Sequence, residues 1–323
     1  MSKEARIIFF GTPEFAVPVL RALVQAGYPI VGVVSQPDRP VGRNRVLTPT
    51  PVKKLASELN LPVIQPERIR DQEAFEVLAG WQPDFLITAA YGQLIPNKIL
   101  HLPRVAALNV HASLLPNYRG ASPIQRAILH GDTETGVSIM TMVMSMDAGP
   151  VWSTARLPIQ PDENYGELSE RLAQLGSQLL TATLPSILDH SLVAKAQDES
   201  AVTFAPRLTR QDEWLDFQTS AINVANKIRA LAPAPGASVW LDDKVLKVWY
   251  ATPVESVATT GVPGQVLEVC EQGLLVSCVS SAIWIHRLQA AGKKAMSGLE
   301  FARGQRNLIG SVFASSQRKG DRD

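Results

Sequence analysis

The sequence predicts an α/β chain in two parts: a Rossmann-like, doubly wound, mostly parallel sheet, then a small OB-like β-barrel. Three observations carry this. As far as Leu188, short apolar runs alternate with stretches of helical period, the pattern of successive βα units. Beyond a polar stretch, Lys195 to Ser200, come short strands divided by turn signals, as in small barrels. A chain of 323 residues is also long for one core, so two domains are expected. The division is expected at 1–206 and 207–323.

Arg6 to Phe10 reads as the first strand, and Gly11-Thr12-Pro13 opens a helix through Phe15, Val19, Leu20 and Leu23 to a Gly27 cap. Ile30 to Ser35 is the second strand. Gly11 stands without the G-x-G-x-x-G spacing, which argues against a nicotinamide enzyme. Gln36 to Leu47 holds two prolines, Gly42 and the arginines Arg39, Arg43 and Arg45. It reads as a loop without regular structure, either a solvated surface loop or an arm for phosphate contacts. A Pro51-led helix runs to Leu59, Pro62 to Ile64 is a short strand, Asp71 to Gly80 a capped helix, and Phe85 to Ala89 a buried strand. Ala90 to Pro96, with Tyr91 and Gly92, is the βα connection that follows.

Val105 to Leu108 leads into the densest chemistry of the chain, Asn109 to Gln125. Asn109 and His111 lie at i and i+2, so they share one side of the strand where it opens into a loop. In open α/β sheets that carboxyl end is where ligands sit. A capping Asn and a gap-filling His remain an alternative at this point. Thr135 to Met146 alternates, with Met140, Met142, Met144 and Met146 on one parity, as for one core-facing side of a strand. Asp147-Ala148-Gly149-Pro150 then reads as a turn. Gly149 to Leu157 is a further strand, and Tyr165 to Leu188 a long amphipathic helix.

After the polar linker, strands are expected at Trp214–Phe217, Ser238–Leu241, Lys244–Tyr250, Gly264–Val269, Gly273–Cys278 and Ile283–Leu288, with one helix at Ala221–Leu231. The tail from about Ser315 carries no signal. Cys270 and Cys278 flank a Gln272-Gly273 turn and could face each other, but reduced core cysteines are expected. Five scattered histidines, none near a second His or Cys at ligand spacing, predict no metal site.

With 46% hydrophobic and 19% charged residues, the chain can bury sizeable cores. Its first residues lead straight into Ile7-Ile8-Phe9-Phe10, which does not fit a signal peptide, and no apolar run reaches the roughly 18 residues of a membrane helix. A cytoplasmic protein without a membrane partner is expected. The net charge of +1 does not announce a nucleic-acid binder, so any such surface must come from local placement.

Asn109, His111 and the following run Ser113-Leu114-Leu115-Pro116 resemble the signature of the folate-dependent formyltransferases. Continued through Gln125, the string is similar to the branch that acts on initiator methionyl-tRNA. Gln36-Pro37-Asp38-Arg39-Pro40 and Gly42-Arg43 also stand as in that branch, as do Ile228 to Ala237 and Leu288 to Lys294. The resemblance covers nearly the whole chain. It implies 10-formyltetrahydrofolate as formyl donor, without a metal, and initiator methionyl-tRNA as partner, with the enzyme acting as a monomer. It also implies Asn109, His111 and Asp147 as the catalytic set. Ser113, Leu114, Leu115, Pro116, Tyr91 and Gly92 would then border the folate, and Arg39, Arg43, Arg45, Lys293 and Lys294 would meet the tRNA. Two departures stand out: no lysine pair follows Gly42-Arg43, and Val143 replaces a common acidic residue.

Formyl transfer to an amine is acyl transfer. An Asn amide can donate to the developing oxyanion, a His can carry protons near neutral pH, and a carboxylate can orient the imidazole or relay protons. Ser113 lacks the G-x-S-x-G surroundings of a serine hydrolase. Three other readings share parts of this pattern: a formyltransferase acting on a small amine, a formyltetrahydrofolate hydrolase, and an RNA-binding protein without catalysis. The barrel and the arginine loop speak for tRNA, and the intact Asn109, His111 and Asp147 speak for catalysis.

Overall fold

The computed structural model describes residues 4–42, 45–254 and 261–315. By internal contacts the chain forms two units: Met1–Pro123 with Glu134–Pro158 and Ser169–Pro206, and Ile124–Thr133 with Ile159–Leu168 and Arg207–Asp323.

The first unit is built on a seven-stranded sheet. Its strands are β1 (Ile7–Gly11), β2 (Ile30–Val34), β5 (Val63–Ile64), β6 (Phe85–Ala89), β7 (Ala106–His111), β8 (Glu134–Thr141) and β9 (Val151–Pro158), in the order β5-β2-β1-β6-β7-β8-β9. The pairings from β5 to β7 are parallel, and the last two are antiparallel. Continuous burial of β1 and β6 explains their unbroken apolar runs. Because β2 lies on one side of β1 and β6 on the other, the strand order reverses there, the place where open α/β sheets form crevices. Thr12 Oγ1, just past β1, donates to Tyr91 O just past β6, at 2.7 Å.

Helix α1 (Ala16–Gln25) buries Ala16, Val19, Leu20 and Leu23, one face at helical spacing. Helix α2 (Pro51–Glu58) starts on Thr50, whose hydroxyl accepts from Lys53 N. Helices α3 (Gln72–Gly80), α4 (Asn97–Leu100) and, from Ser169 onward, α6 (Tyr165–Leu188) complete the first unit, while α5 (Pro123–His130) from Ile124 and the first turn of α6 cluster with the second; α6 keeps the bounds expected from sequence. The doubly wound expectation is met.

Several local expectations are corrected. Residues 36–47 are not structureless: β3 (Arg39–Val41) and β4 (Val46–Thr48) pair as an antiparallel ribbon. A two-stranded ribbon is all edge, where proline is tolerated. The methionines do not share one core face. Met140 is buried, Met142 packs beside the core, and Met144 and Met146 are half or more exposed. The reason is that β8 ends at Thr141, so the alternation runs on into irregular backbone. Lys195 to Ser200 is no free linker, because Lys195 pairs with Val151 through both backbone groups.

In the second unit, helix α7 (Ala221–Leu231) is capped by Ser220 and packs on an antiparallel sheet. Strands β10 (Ala237–Leu241), β11 (Lys244–Val254), β12 (Val266–Cys270), β13 (Gly273–Cys278) and β14 (Ser281–Ala290) take the order β10-β11-β14-β13-β12, with β15 (Met296–Ser297) beside β14. Helix α8 (Gly298–Arg303) follows. The segment 311–314 closes the sheet: Ala314 exchanges both backbone hydrogen bonds with Trp240, and Phe313 N donates to Gly264 O. A closed sheet has no free edge, and the expected barrel is present. Trp214 to Phe217 forms a single bridge to Ser238 rather than a strand; its Trp214 indole stacks flat on Trp240 at 5.5 Å. Cys270 lies opposite Gly273 and Cys278 opposite Ser281, so the two cysteines do not face each other and both are free.

Candidate active site

Strand β7 sets the site. It lies between β6, where Thr88 is level with Asn109, and β8, where Ser138 is level with His111. Asn109 and His111 project to one side of the strand, and His111 is 5% exposed. The Asn109 side chain has no hydrogen-bond partner among the described residues, which leaves both its donors available to a ligand.

The loop after β7 holds the rest. His111 Nε2 lies 3.1 Å from Tyr118 O. A carbonyl oxygen only accepts, so this contact assigns a proton to Nε2 and leaves Nδ1 as the nitrogen at which a proton can come and go. Nδ1 faces Asp147 Oδ1 at 3.7 Å, beyond direct hydrogen-bond length but a close charge contact when the imidazole is protonated. The other carboxylate oxygen, Oδ2, accepts the Gly120 N–H at 2.8 Å. One stretch, Tyr118 to Gly120, thus grips both the imidazole and the carboxylate.

Two glycines are required by this arrangement. Gly120 has φ +129, and a Cβ there would lie 2.6 Å from Ala205 O. At Gly149, after the Asp147 turn, a Cβ would lie 1.9 Å from Thr141 O. Asp147 itself sits at φ 51, a left-handed conformation that Asp and Asn adopt more readily than most residues.

Sequence reasoning missed the support beneath Asp147. Arg119, 5% exposed, directs Nε and Nη2 to Gln197 Oε1 at 3.0 and 2.9 Å, and also pairs with Glu199, with Nη2 2.8 Å from Oε1. The Arg119 guanidinium holds the Glu199 carboxyl below the usual carboxylate range. Gln197 Nε2 in turn donates to Asp147 O and Gly149 O at 2.8 and 2.7 Å. In the sequence Arg119 stands only as one member of the Asn109–Gln125 string, with no sign of its burial, and nothing there points to Gln197.

The remaining expected residues fall in several places. Ser113 is fully buried, and its hydroxyl donates to Asn117 O at 2.6 Å, shaping the loop. Leu115 N donates to Ser138 Oγ, and Leu114, Leu115 and Pro116 are half-buried along the same loop. The Tyr91 ring is buried edge-on to Phe10, and burial pushes its phenol pKa up. Gly92 has φ +99 and faces Gln36, whose buried Nε2 has no hydrogen-bond partner among the described residues. Arg39 pairs with Glu67 at 3.0 Å in the open, and Arg45 is exposed at the ribbon turn. Arg43 lies outside the described residues. Lys293 and Lys294 are exposed after β14 in the second unit. Val143 is 40% exposed near Gly149. Among the described residues no group of three or more His, Cys, Asp and Glu could hold a metal ion, and no helix is long and apolar enough to cross a membrane.

A doubly wound sheet that brings an amide, an imidazole and a carboxylate together beside a strand's carboxyl end has the groups that acyl transfer uses. Residues 5–184 match the formyl transferase family and residues 207–306 its C-terminal domain, and the chain belongs to that family. It is 44% identical over 311 residues to the methionyl-tRNA formyltransferase of Halalkalibacterium halodurans, covering 95% of this chain and 98% of the relative. It is 42% identical to that of Bacillus subtilis, with 97% and 99% covered. The fold is shared with the sugar 3N-formyl transferase WlaRD, at TM-score 0.65 and 16% identity over 90% of this chain and 99% of the other. HypX from Aquifex aeolicus in complex with tetrahydrofolic acid aligns at TM-score 0.63 and 16% identity over 94% of this chain, which spans 47% of HypX.

Proposed function

We propose that this chain transfers the formyl group of 10-formyltetrahydrofolate to the amino group of methionine on initiator methionyl-tRNA, acting as a monomer in the cytoplasm. The observation that carries the chemistry is the His111 imidazole held between Tyr118 O and Asp147, on the same strand side as the unpartnered Asn109 amide. The acceptor rests on the end-to-end similarity to methionyl-tRNA formyltransferases.

Bound folate supplies the formyl group and, at N10, the leaving nitrogen. The carboxyl edge of β1, β6 and β7 would receive it, with Tyr91, Gly92 and the loop Ser113 to Pro116 along its border. The partnerless Gln36 Nε2 beside Gly92 fits that use, since an unsatisfied buried donor costs free energy until a ligand meets it.

As the amine forms its bond to the formyl carbon, Asn109 donates to the carbonyl oxygen that is gaining charge. His111 takes the amine's proton at Nδ1, while Nε2 keeps its own proton on Tyr118 O. Asp147 faces the imidazolium so formed and stabilises it. When the bond to N10 breaks, the proton at Nδ1 passes to that nitrogen, directly or through water, and the site returns to its starting state.

Arg39, Arg43 and Arg45, with Lys293 and Lys294, would take tRNA phosphates. The test is incubation with labelled formyltetrahydrofolate, charged initiator tRNA and glycinamide ribonucleotide as competing acceptor. Label on the tRNA is expected; label only on the small acceptor would give the function to the alternative reading.

A further inference from the structure

The barrel unit contains a cavity of about 1000 Å³ that the formyl-transfer site does not use. It lies at the upper end of the size range of ligand pockets, roughly 300–1000 Å³. Besides aliphatic, proline and amide side chains, its lining holds two aromatic rings, Trp249 and Tyr250, and three cations, Arg229, Arg287 and Lys294, against one carboxylate, Asp162. All belong to the second unit.

An irregularity in the sheet makes this possible. Neighbouring residues of a regular strand point to opposite faces, yet Trp249 and Tyr250 both line the cavity. The β11–β14 register shifts at Tyr250, which falls level with Arg287. Such a bulge re-aims a side chain at the cost of a ladder pairing. The Trp249 ring lies over Gly236, where a Cβ would come within 2.6 Å of it, and its Nε1 donates to Gln289 Oε1 at 3.0 Å. Tyr250 is 46% exposed, with the His286 ring 4.9 Å away.

The cations differ in the same way. Arg229 is anchored, donating to Asn226 Oδ1 at 2.9 Å and to Glu163 O at 3.1 Å. Arg287 and Lys294 are exposed and have no ion-pair or hydrogen-bond partner among the described residues. A held ring beside an open ring, with unpaired cations at the rim, matches a flat π-system that carries a phosphate.

We infer that this cavity is a nucleotide site, in which an unpaired base stacks on Trp249 and Tyr250 while its phosphate meets Arg287 and Lys294. The source of that nucleotide is the tRNA substrate, so this part of the inference rests on the proposed function. Free nucleotides share the chemistry and are separated by the test.

In the full-length protein, the Trp249 indole N–H signal is assigned by Trp249→Phe and followed during titration with nucleoside 5′-monophosphates and with ribose 5-phosphate. It shifts with the monophosphates and not with the sugar phosphate. In formylation kinetics, Tyr250→Ala and Arg287→Ala each raise the tRNA KM about tenfold, Tyr250→Phe restores it, and the folate KM stays put. Arg287→Ala also lowers the salt dependence of tRNA use by about one phosphate contact. A shift with monophosphates alongside unchanged tRNA KM in both variants overturns the RNA source and assigns the site to a free nucleotide. No shift with any nucleotide, in a wild-type enzyme that formylates tRNA, overturns the site itself. Absence of tRNA formylation by the wild type counts against the proposed function, and the indole titration still decides the site.

Discussion

Replacing Asp147 by Asn separates the charge of this residue from its shape. Asn tolerates the left-handed backbone at φ 51, and its amide oxygen can still accept from Gly120 N–H, the 2.8 Å bond now made by Oδ2. What disappears is the negative charge 3.7 Å from His111 Nδ1. The two side chains are 6% and 16% exposed, so water screens them poorly. At an effective dielectric of about 20, the attraction to a protonated imidazole at 3.7 Å is about 4–5 kcal/mol. General acid–base contributions of roughly 10²- to 10⁴-fold correspond to about 3–5 kcal/mol, so the two estimates overlap. Single-turnover formylation should therefore slow by about 10³-fold, inside that 10²- to 10⁴-fold range, with the tRNA KM little changed. His111→Asn should cost a similar factor, and the double variant much less than the product of the two. A loss under about tenfold for Asp147→Asn, or losses that simply multiply, would return Asp147 to the role of a turn residue.

Gln197→Ala removes both donations to the Asp147 turn and one acceptor of the buried Arg119 guanidinium. It should destabilise the protein by about 1–3 kcal/mol and lower kcat with little change in tRNA KM, read by thermal denaturation and steady-state kinetics. Cys278 is buried, and burial pushes its thiol up to about 12. At pH 8 it is almost wholly protonated and unreactive, so the native protein should consume at most one equivalent of a thiol reagent, through Cys270, and the denatured protein two. Arg39→Ala should leave stability nearly unchanged, because its ion pair with Glu67 is exposed on both sides, and Arg45→Ala should do the same. Combined with Arg43→Ala, the two should raise the tRNA KM and flatten its salt dependence, and a change confined to the folate KM would show that the ribbon serves the other ligand.

What could be read beforehand follows from what leaves a periodic trace. Burial on one or both faces does, and so α6 and α7 keep their expected bounds, while β6 and β13 were legible from apolar runs and turn signals. Asn109 and His111 were legible because strand parity alone puts them on one side. Polar contacts between distant residues leave no such trace. The β3–β4 ribbon carries no buried face to announce it, since all six of its residues are exposed. The methionine parity announced a face that the backbone abandons after Thr141. Segments 124–133 and 159–168 read as ordinary α/β sequence, yet they cluster with the barrel, where Gly166 N donates to Ala232 O and Arg229 to Glu163 O.

The Asp147 turn shows why this matters for function. Its carboxylate could be placed in the site by resemblance, but that carboxylate is held by Gly120 N, 27 residues away, and its backbone carbonyl by Gln197 Nε2, 50 residues away. Glutamine in a polar stretch reads as solvated, and only the fold turns it into a strut joining Arg119 to the Asp147 backbone. Asp147, at φ 51 and with its carboxylate 3.7 Å from His111, has its backbone held from outside the turn, by a side chain distant in sequence. The residues that make the site accurate are therefore those whose side chains end on other backbones, and they can be found only once the chain is folded.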